Sequence, residues 1–262
     1  MKIGKPKKIV RLLLVLSLLI AASMQVPAQS PLYVYSTIDA LLAGAYDGDL
    51  TIGQLKTKGD FAIGTFNHLD GEMIAVDGVF YHAKADGSVA IAAATDRTPL
   101  AYATHFHPQR TLHPQGGLKL AEVEKWLDAQ NGNPNLFYAV RIEGVFTEVS
   151  VRAIAPQSKP YKPMAEIVGT QSIHQYGSVH GTLIGLRSPG FSKGISVPGY
   201  HWHFLTADRQ HGGHVLAITL AEGAVQLQSM DKVSLELPRS EGFARADQSK
   251  DRTRETKLVE GK

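Results

Sequence analysis

The sequence predicts an α+β fold dominated by antiparallel or mixed β-sheet. Several short apolar runs are bounded by turn residues, and two of these boundaries are Asp-Gly pairs, Asp77-Gly78 and Asp86-Gly87. Only one long segment repeats its apolar residues with a helical period. A stretch with three prolines and two lysines, residues 156–163, is typical of a linker or crossover. We therefore expect two sheet-rich domains, residues 29–160 and 161–262, which meet near residue 160.

Residues 1–28 have the layout of a secretory signal peptide. Five basic residues precede the apolar run Leu12–Ala22, and Val26-Pro27-Ala28 provides a small-residue exit that suits cleavage after Ala28. An uncleaved anchor is the alternative, but the apolar run is short against the ~20 residues that span a bilayer. The sequence therefore predicts a periplasmic or secreted protein with no stable membrane association after cleavage.

The charge and the cysteine content exclude two classes of function. The whole chain has a formal charge of +3, but without the signal it has 22 basic and 24 acidic residues, a formal charge of −2. A chain with this charge has no electrostatic basis for binding nucleic acid. There are no cysteines, so a metal site must use His, Asp and Glu, and catalysis cannot use a thiolate.

The first half is predicted to begin with a strand and two short helices and to continue as a meander of strands. Residues 32–36 are the expected strand, and Thr37–Tyr46, with Ser36 as its cap, and Thr51–Lys58 are the expected helices. The strands expected next are 61–66, 73–76, 79–82 and 89–93, with a hairpin at Asp77-Gly78.

The second part of the chain begins with the clearest helix, Leu118–Gln130, which Asn131-Gly132 ends. Phe137–Ile142 and Phe146–Ile154 are expected to pair around Glu143-Gly144. Further strands are expected at 165–173, 178–186, 199–207, 213–220, 224–230 and 233–237, followed by a polar tail.

Three histidines predict a metal site. On a strand His201 and His203 point to the same face, so their imidazoles can converge on one cation. A polar, Gly-rich loop returns the chain to His214, which begins the next expected strand, whereas the rival ligand His211 lies in the turn. Three His ligands with an open position are typical of a catalytic metal site. A second His-x-His pair, His105 and His107, precedes Pro108 and has no third ligand nearby, so we expect it in a surface loop.

The segments around these histidines resemble bacterial α-acetolactate decarboxylases. Residues 197–205 read VPGYHWHFL and are followed by Gly212-Gly213-His214, which is similar to the zinc-binding strand pair of that family. Residues 64–72, GTFNHLDGE, resemble its N-terminal signature, and residues 181–185, GTLIG, match a third motif. The resemblance extends over about residues 33–237 of the chain.

The resemblance implies a fold of two α/β domains with a metal cleft at their junction. It implies zinc-dependent decarboxylation of (S)-2-acetolactate to (R)-acetoin and CO2 through a metal-stabilised enediolate. By position, Glu72 and Arg152 take the catalytic roles, and Thr65 lies near the substrate. A C-terminal glutamate falls on Glu260, with Glu255 as its competitor. The implied Zn²⁺ ligands are His201, His203 and His214.

Two other functions are compatible with the same three histidines. A zinc hydrolase would use a metal-bound hydroxide, and a non-enzymatic metal-binding module would need neither Glu72 nor Arg152. The partner of the predicted enzyme is its small-molecule substrate. A homodimer is compatible with the exposed sheet edges that the strand pattern implies.

Overall fold

The computed structural model describes Met1 and residues 30–261, so the predicted signal peptide lies almost entirely outside the described residues. The helices are α1 (Ile38–Leu42), α2 (Ile52–Leu55), α3 (Leu120–Gln130), α4 (Met164–Ile167), α5 (Glu241–Arg245) and α6 (Thr253–Glu260). The strands are β1 (Leu32–Tyr35), β2 (Leu50–Thr51), β3 (Phe61–Thr65), β4 (Glu72–Val76), β5 (Val79–Ala83), β6 (Val89–Ile91), β7 (Arg97–Thr98), β8 (Leu100–Thr104), β9 (Arg110–Leu112), β10 (Leu118–Lys119), β11 (Phe137–Ala153), β12 (Ser172–Tyr176), β13 (Val179–Ser188), β14 (Gly199–Thr206), β15 (Gly212–Met230) and β16 (Val233–Glu236). Within these residues, no helix is long and apolar enough to cross a membrane.

The first sheet has seven strands in the order β16-β1-β8-β3-β4-β5-β6. All neighbours are antiparallel except β16, which runs parallel to β1. The predicted Asp77-Gly78 hairpin joins β4 to β5, and both turn residues have positive φ, 53° and 76°. Two positive φ angles are the requirement of the tight hairpin turn that an Asp-Gly pair favours.

The second sheet closes on itself. Strand β11 pairs with β13 along one edge and with β15 along the other, and β14 pairs with both β13 and β15. The side chains of Tyr200, Trp202 and Phe204 on β14 face the core inside this ring. Because side chains alternate along a strand, His201, His203 and Leu205 face the opposite way. That outer face is the one that carries the candidate metal ligands.

The outer face of the ring packs against the first sheet. Ile63 and Ile74 of the first sheet share one hydrophobic core with Ile184 and Leu205 of the second. The two sheets therefore form a continuous interior, and residues of β4 lie next to residues of β14 and β15.

Two predicted strand pairs are each a single long strand, so the expected breaks were wrong. Residues 137–153 form β11, and residues 212–230 form β15. Gly144, at the expected turn, and Gly223, between two expected strands, lie opposite each other in this ladder. A Cβ on Gly144 would stand 2.1 Å from the carbonyl oxygen of Glu222, so this glycine permits close approach of two backbones.

The prediction of a strand at residues 165–173 was also wrong for residues 165–170. Met164–Ile167 is helix α4, and a 3-10 turn continues it over Val168–Thr170. Met164, Ile167 and Val168 are buried in the core, and their spacing fits a helical turn rather than alternation. The short helix α1 begins one residue later than expected, with Thr37 instead of Ser36 as its cap.

The change from one sheet to the other does not fall at residue 160. The first sheet takes residues 32–104 and returns with β16, whereas the second takes residues 110–230. Strand β11, which we expected in the N-terminal domain, is therefore in the centre of the second sheet. The linker over residues 156–163 connects β11 to α4.

Candidate active site

The three predicted histidines lie together on β14 and β15. His203 is paired with His214 across the two strands, and His201 is two residues before His203 on the same face. One potential ligand nitrogen or oxygen from each of the three residues lies within 4.8 Å of the others. His201 Nε2 is 3.1 Å from His214 Nδ1. The hairpin therefore makes the three-imidazole cluster that the spacing predicted.

The environment of His203 leaves one ring nitrogen available as a ligand. His203 is completely buried, and its Nδ1 is 2.8 Å from the carbonyl oxygen of Met73 on β4. Since a carbonyl only accepts, Nδ1 carries the proton and Nε2 has the lone pair. Nε2 makes no hydrogen bond and lies 3.5 Å from Glu72 Oε2. Burial, followed by the positive charges of His201 and Arg152, lowers the pKa of His203 well below its usual value.

A buried ion pair lies beside the histidines. Arg152 Nη1 donates to Glu72 Oε1 over 3.1 Å, and Arg152 Nη2 donates to the carbonyl oxygen of Val259 over 3.0 Å. Burial raises the pKa of Glu72 to about 8, Arg152 opposes this rise, and the negative charge of Glu260 adds to it. Arg152 is opposite His214 in the β11–β15 ladder, which explains how a residue far along the chain reaches the cluster.

The loop before Glu72 fixes the position of that carboxylate. His68, Leu69 and Gly71 all have positive φ, and Gly71 N donates to the carbonyl of Ile154 at 2.9 Å. Thr65 Oγ1 donates to the carbonyl oxygen of Gly71 at 2.7 Å. Thr65 is buried, and it also lines the cavity described below. The structure therefore places Thr65 at the site and gives its hydroxyl a role in holding the loop.

The C-terminal helix α6 brings a second glutamate to the cluster. Glu260 is buried, with its Oε2 at 3.9 Å from His214 Nε2. Glu255, the competitor, is at the start of the same helix and pairs with Arg252 instead. Of the two C-terminal glutamates, Glu260 is therefore the one that lies at the histidines.

Most of these groups line one small cavity of about 30 Å³, and His203 lies behind them in the cluster. The polar wall of the cavity has Glu72, Arg152, His201, His214, Glu260 and Thr65. Its apolar wall comes from the short helices α1 and α4, the loop before β4, β8 and the end of α6, and consists of Ile38, Leu41, Leu69, Leu100, Met164 and Val259. A cavity of this size has room for about two or three water molecules, since one water needs ~10–15 Å³.

The other histidines lie away from this cluster. His105 and His107 are exposed between β8 and β9, as predicted. His211 is in the turn before β15, and its Nδ1 is 3.0 Å from the carbonyl oxygen of Gly87. The rival third ligand is therefore not part of the three-imidazole cluster.

The sequence reasoning missed the apolar wall and the carbonyl of Val259. Ile38 and Leu41 lay in an expected helix, and Met164 lay between the expected linker and the expected strand. The apolar periodicity of these segments could have indicated that the residues are buried. No feature of the local sequence connects them to a metal site in another sheet.

A family model of α-acetolactate decarboxylases matches residues 32–250. The chain belongs to this family. The match covers Glu72, Arg152 and the three histidines and ends before α6, so it does not reach Glu260. Membership in this family agrees with the resemblance that the histidine and GTFNHLDGE segments suggested.

Similar α-acetolactate decarboxylases occur in Methanosarcina mazei and Bacillus subtilis. The relative from Methanosarcina mazei is 44% identical over 220 residues, which cover 84% of this chain and 76% of that protein. The relative from Bacillus subtilis strain 168 is 39% identical over 218 residues, 83% of this chain and 86% of that protein. The crystal structure of α-acetolactate decarboxylase from B. subtilis strain 168 superposes with a TM-score of 0.87 at 38% identity and covers 89% of this chain and 100% of that one. The sheet-rich α+β fold is thus the fold of this family.

Proposed function

We propose that the protein decarboxylates (S)-2-acetolactate to (R)-acetoin and CO2, with Zn²⁺ bound by His201, His203 and His214. One observation carries the proposal. Three imidazoles form one cluster, and two of them, His201 and His214, line a cavity between the two sheets together with a guanidinium and two carboxylates. The relatives from M. mazei and B. subtilis are named α-acetolactate decarboxylases, which supports the substrate class of the proposal.

The residues fit a divalent cation. The His203 nitrogen that faces the cluster has a lone pair and no hydrogen bond, which is the state a metal ligand needs. With Glu72 and Glu260 ionised, two carboxylates and one guanidinium leave a net charge of −1 beside the neutral imidazoles, which favours the binding of a cation. Three nitrogen ligands with a further position for substrate are typical of catalytic zinc.

The decarboxylation needs a group that accepts the electron pair left by the departing CO2. When the bond between the carboxylate carbon and C2 breaks, CO2 leaves and the pair moves into the adjacent ketone, which gives an enediolate. When bound, the metal supplies a Lewis acid that stabilises the negative charge developing on the ketone oxygen. A proton then adds to C2 on one face, which sets the configuration of acetoin.

Arg152 is assigned to bind and orient the substrate's oxygens. Its two Nη atoms are occupied by Glu72 and Val259, but its buried Nε makes no hydrogen bond. A buried donor without a partner is costly, so an anionic oxygen of the substrate would be well placed there. The two fixed bonds hold the guanidinium plane still while Nε donates.

Glu72 and Glu260 are assigned to the proton transfers. Glu72 has one oxygen on Arg152, and its other oxygen faces His203. That second oxygen is assigned to accept the proton of the substrate hydroxyl and to return it to the same oxygen in the product. Glu260 enters from the other side of the cluster, next to His214, and is the candidate to deliver a proton to C2.

The apolar wall excludes water and receives the methyl groups of the substrate. Acetolactate is several times larger than a water molecule, so the cavity of about 30 Å³ must widen when it binds. Helix α6 is the part of the cavity wall with the most space to move aside, because pockets of about 240 and 150 Å³ flank it near Glu260.

The test combines metal analysis with product formation. Purified protein is expected to contain zinc in a 1:1 ratio, to form acetoin from acetolactate, to lose activity on chelation and to regain it with Zn²⁺. Ester and peptide substrates, which a zinc hydrolase would cleave, should not be turned over. Metal-bound protein that releases no CO2 from acetolactate would rule the proposal out.

We also propose that the enzyme is exported to the periplasm or medium and cleaved after Ala28. The support is the basic start and apolar run of residues 1–28. Mass spectrometry of the protein from cell fractions should find Gln29 as the first residue. An intact N-terminus in the cytoplasmic fraction would contradict this.

A further inference from the structure

Helix α6 is buried at its two ends and open along its length. Its buried residues are Val259 and Glu260, both in the last turn, and Arg252, the residue before its first turn, is also buried, with 7% exposed. Pockets of about 240 and 150 Å³ lie beside the helix. An isolated helix of this length is only marginally stable in water, so α6 depends on the attachments at its two ends.

The C-terminal end of α6 borders the active site. Arg152 Nη2 donates to the carbonyl oxygen of Val259 at 3.0 Å, and Glu260 Oε2 lies 3.9 Å from His214 Nε2. This end lines the cavity that must widen when the substrate enters. The fixed attachment of the helix therefore has to be at its other end.

Arg252 organises the chain at the N-terminal end of α6. Its Nη1 donates to Glu255 Oε2 at 2.5 Å, and its Nη2 donates to the carbonyl oxygen of Asp247 at 3.1 Å. Its own carbonyl oxygen accepts from the backbone N–H and from the hydroxyl of Thr256, at 2.8 and 3.0 Å. One residue thus joins the chain that precedes α6 to the first turn of the helix.

The chain just before Arg252 is bonded to α1 and to the segment that precedes β14. Thr37, the N-terminal cap of α1, donates its hydroxyl to Gln248 Oε1 at 2.5 Å. Lys193 Nζ lies 2.8 Å from Asp251 Oδ1. The contact of Thr37 connects this part of the tail to a helix that itself lines the active-site cavity.

The guanidinium of Arg252 is also attracted to a carboxylate of α1. Burial raises the pKa of Asp39, and the positive charges of Arg252 and Lys193 oppose this rise. Arg252 Nε is buried and makes no hydrogen bond within the described part of the chain. Since a guanidinium stays charged, its burial is favourable only while carboxylates lie close to it. The charge of Arg252 therefore favours the state in which the tail lies against α1.

We propose that Arg252 is a positioning residue for Glu260: it anchors α6 against α1, so that the other end of the helix presents Glu260 to the substrate. The inference rests on the proposed function, in which Glu260 delivers a proton. The end of α6 at the cavity moves aside when acetolactate enters. The anchor, about 12 Å away along the helix, returns that end to the same position for each turnover.

The kinetics of Arg252→Met test this role. We expect kcat to fall at least about tenfold, as it does when α6 is docked in about a tenth of the molecules. Zinc should remain at a 1:1 ratio, because its three proposed ligands lie on β14 and β15. Arg254→Met is the matched control, since Arg254 is exposed on the same helix, and it should retain kcat. Equal kcat values of the two variants overturn the proposal.

A double variant shows whether Arg252 acts through Glu260. In Glu260→Gln the side chain that α6 positions can no longer deliver a proton. Adding Arg252→Met should therefore change kcat by less than about twofold. A general loss of structure would instead multiply the two separate losses. A further tenfold fall in the double variant overturns the proposal.

Hydrogen exchange measures the anchor without substrate. The amides of residues 256–260 should exchange faster in Arg252→Met than in the wild type or Arg254→Met. The amides of β11 should exchange equally in all three proteins, which shows that the fold is intact. Should Arg252→Met fail to fold, Arg252→Lys takes its place. It keeps the charge but loses the paired Nη donors, so it should show a smaller change in the same direction.

The outcomes separate the anchor from the proposed function. Equal exchange of α6 in Arg252→Met, Arg254→Met and the wild type refutes the anchor, whatever the activity of these proteins. A wild-type protein that forms no acetoin refutes the proposed function instead, and the exchange of α6 still decides whether Arg252 anchors the helix.

Discussion

Arg152 and Glu72 form a buried ion pair that joins the two sheets at the histidine cluster. Their 3.1 Å contact connects β11 of the second sheet to β4 of the first, and both side chains are almost inaccessible to solvent. The same guanidinium also holds the carbonyl of Val259 in α6. One side chain thus fixes the position of a carboxylate and of the helix that carries Glu260.

Replacing Glu72 with glutamine should preserve the metal and remove most of the turnover. The amide oxygen can still accept from Arg152, so the fold is kept, but the side chain can no longer accept a proton. We expect kcat to fall by about 10²–10⁴-fold, the usual contribution of a general acid or base. Initial rates of acetoin formation and the zinc content of the same samples measure this. Glu222→Gln, on an exposed position of β15, is the control and should have full activity. A Glu72→Gln enzyme with wild-type kcat would remove Glu72 from the mechanism.

Removing Arg152 should destabilise the protein strongly. At a pH well above 8, where Glu72 is ionised, Arg152→Met leaves its carboxylate buried without its partner, which costs about 3–5 kcal/mol for a buried pair. Urea unfolding measures the difference. The matched control is Arg245→Met, which breaks an exposed pair with Glu241 and should cost about 0.3–0.5 kcal/mol.

The double variant Glu72→Gln/Arg152→Met separates a lost pair from lost packing. If the buried charge causes the loss, the double variant is more stable than Arg152→Met alone, because no unpaired carboxylate remains. A double variant whose loss equals the sum of the two single losses would show that the two residues do not interact.

Changing one histidine of each His-x-His pair should distinguish the metal site from the surface loop. His203→Ala is expected to lose bound zinc and activity together, because it removes a ligand from the buried cluster. His105→Ala should retain both, since His105 is exposed and outside the cluster. Metal content by atomic emission and acetoin rates decide between them. Full activity in metal-free His203→Ala would contradict the proposed mechanism.

The metal cluster could be predicted from the sequence because it depends on short-range geometry. His201 and His203 share a face by the alternation of one strand, and a short turn brings His214 opposite. The extent of the strands could not be predicted in the same way. Gly144 resembles a turn residue in sequence, and only its partner Gly223, far along the chain, makes it part of a ladder.

The contacts between the sheets were also beyond local reasoning. Glu72 and Arg152 were assigned by family resemblance, and their ion pair depends on how β4 meets β11. The position of Glu260 depends on how α6 folds back over the site, which no periodicity of the tail indicates. Apolar residues of α4 were mistaken for a strand because a run of four or five residues fits both periods.

An added methyl group on Gly185 should disturb the strand that holds two of the histidines. A Cβ there would stand 2.2 Å from Trp202 Cε3 and 2.7 Å from the carbonyl oxygen of His201. We expect Gly185→Ala to lose about 1–3 kcal/mol of stability, as overpacked cores do, and to reduce zinc affinity. Thermal unfolding and zinc titration measure both effects. Gly132→Ala is the control, because nothing lies near that Cβ position, and its stability should be unchanged. Equal stability of the two variants would show that β14 can shift freely.

The choice between the two C-terminal glutamates can be made with a pair of matched substitutions on one helix. Glu260 is buried beside His214 and is assigned to deliver a proton, so Glu260→Gln should reduce kcat by about 10²–10⁴-fold, the usual contribution of a general acid or base. Glu255 pairs with Arg252 at the other end of α6, away from the cavity, and Glu255→Gln should retain kcat. Both variants should keep α6 folded, which circular dichroism and unfolding curves can check. Because the two changes remove the same charge from the same helix, a loss confined to Glu255→Gln would mean that α6 presents its other end to the substrate.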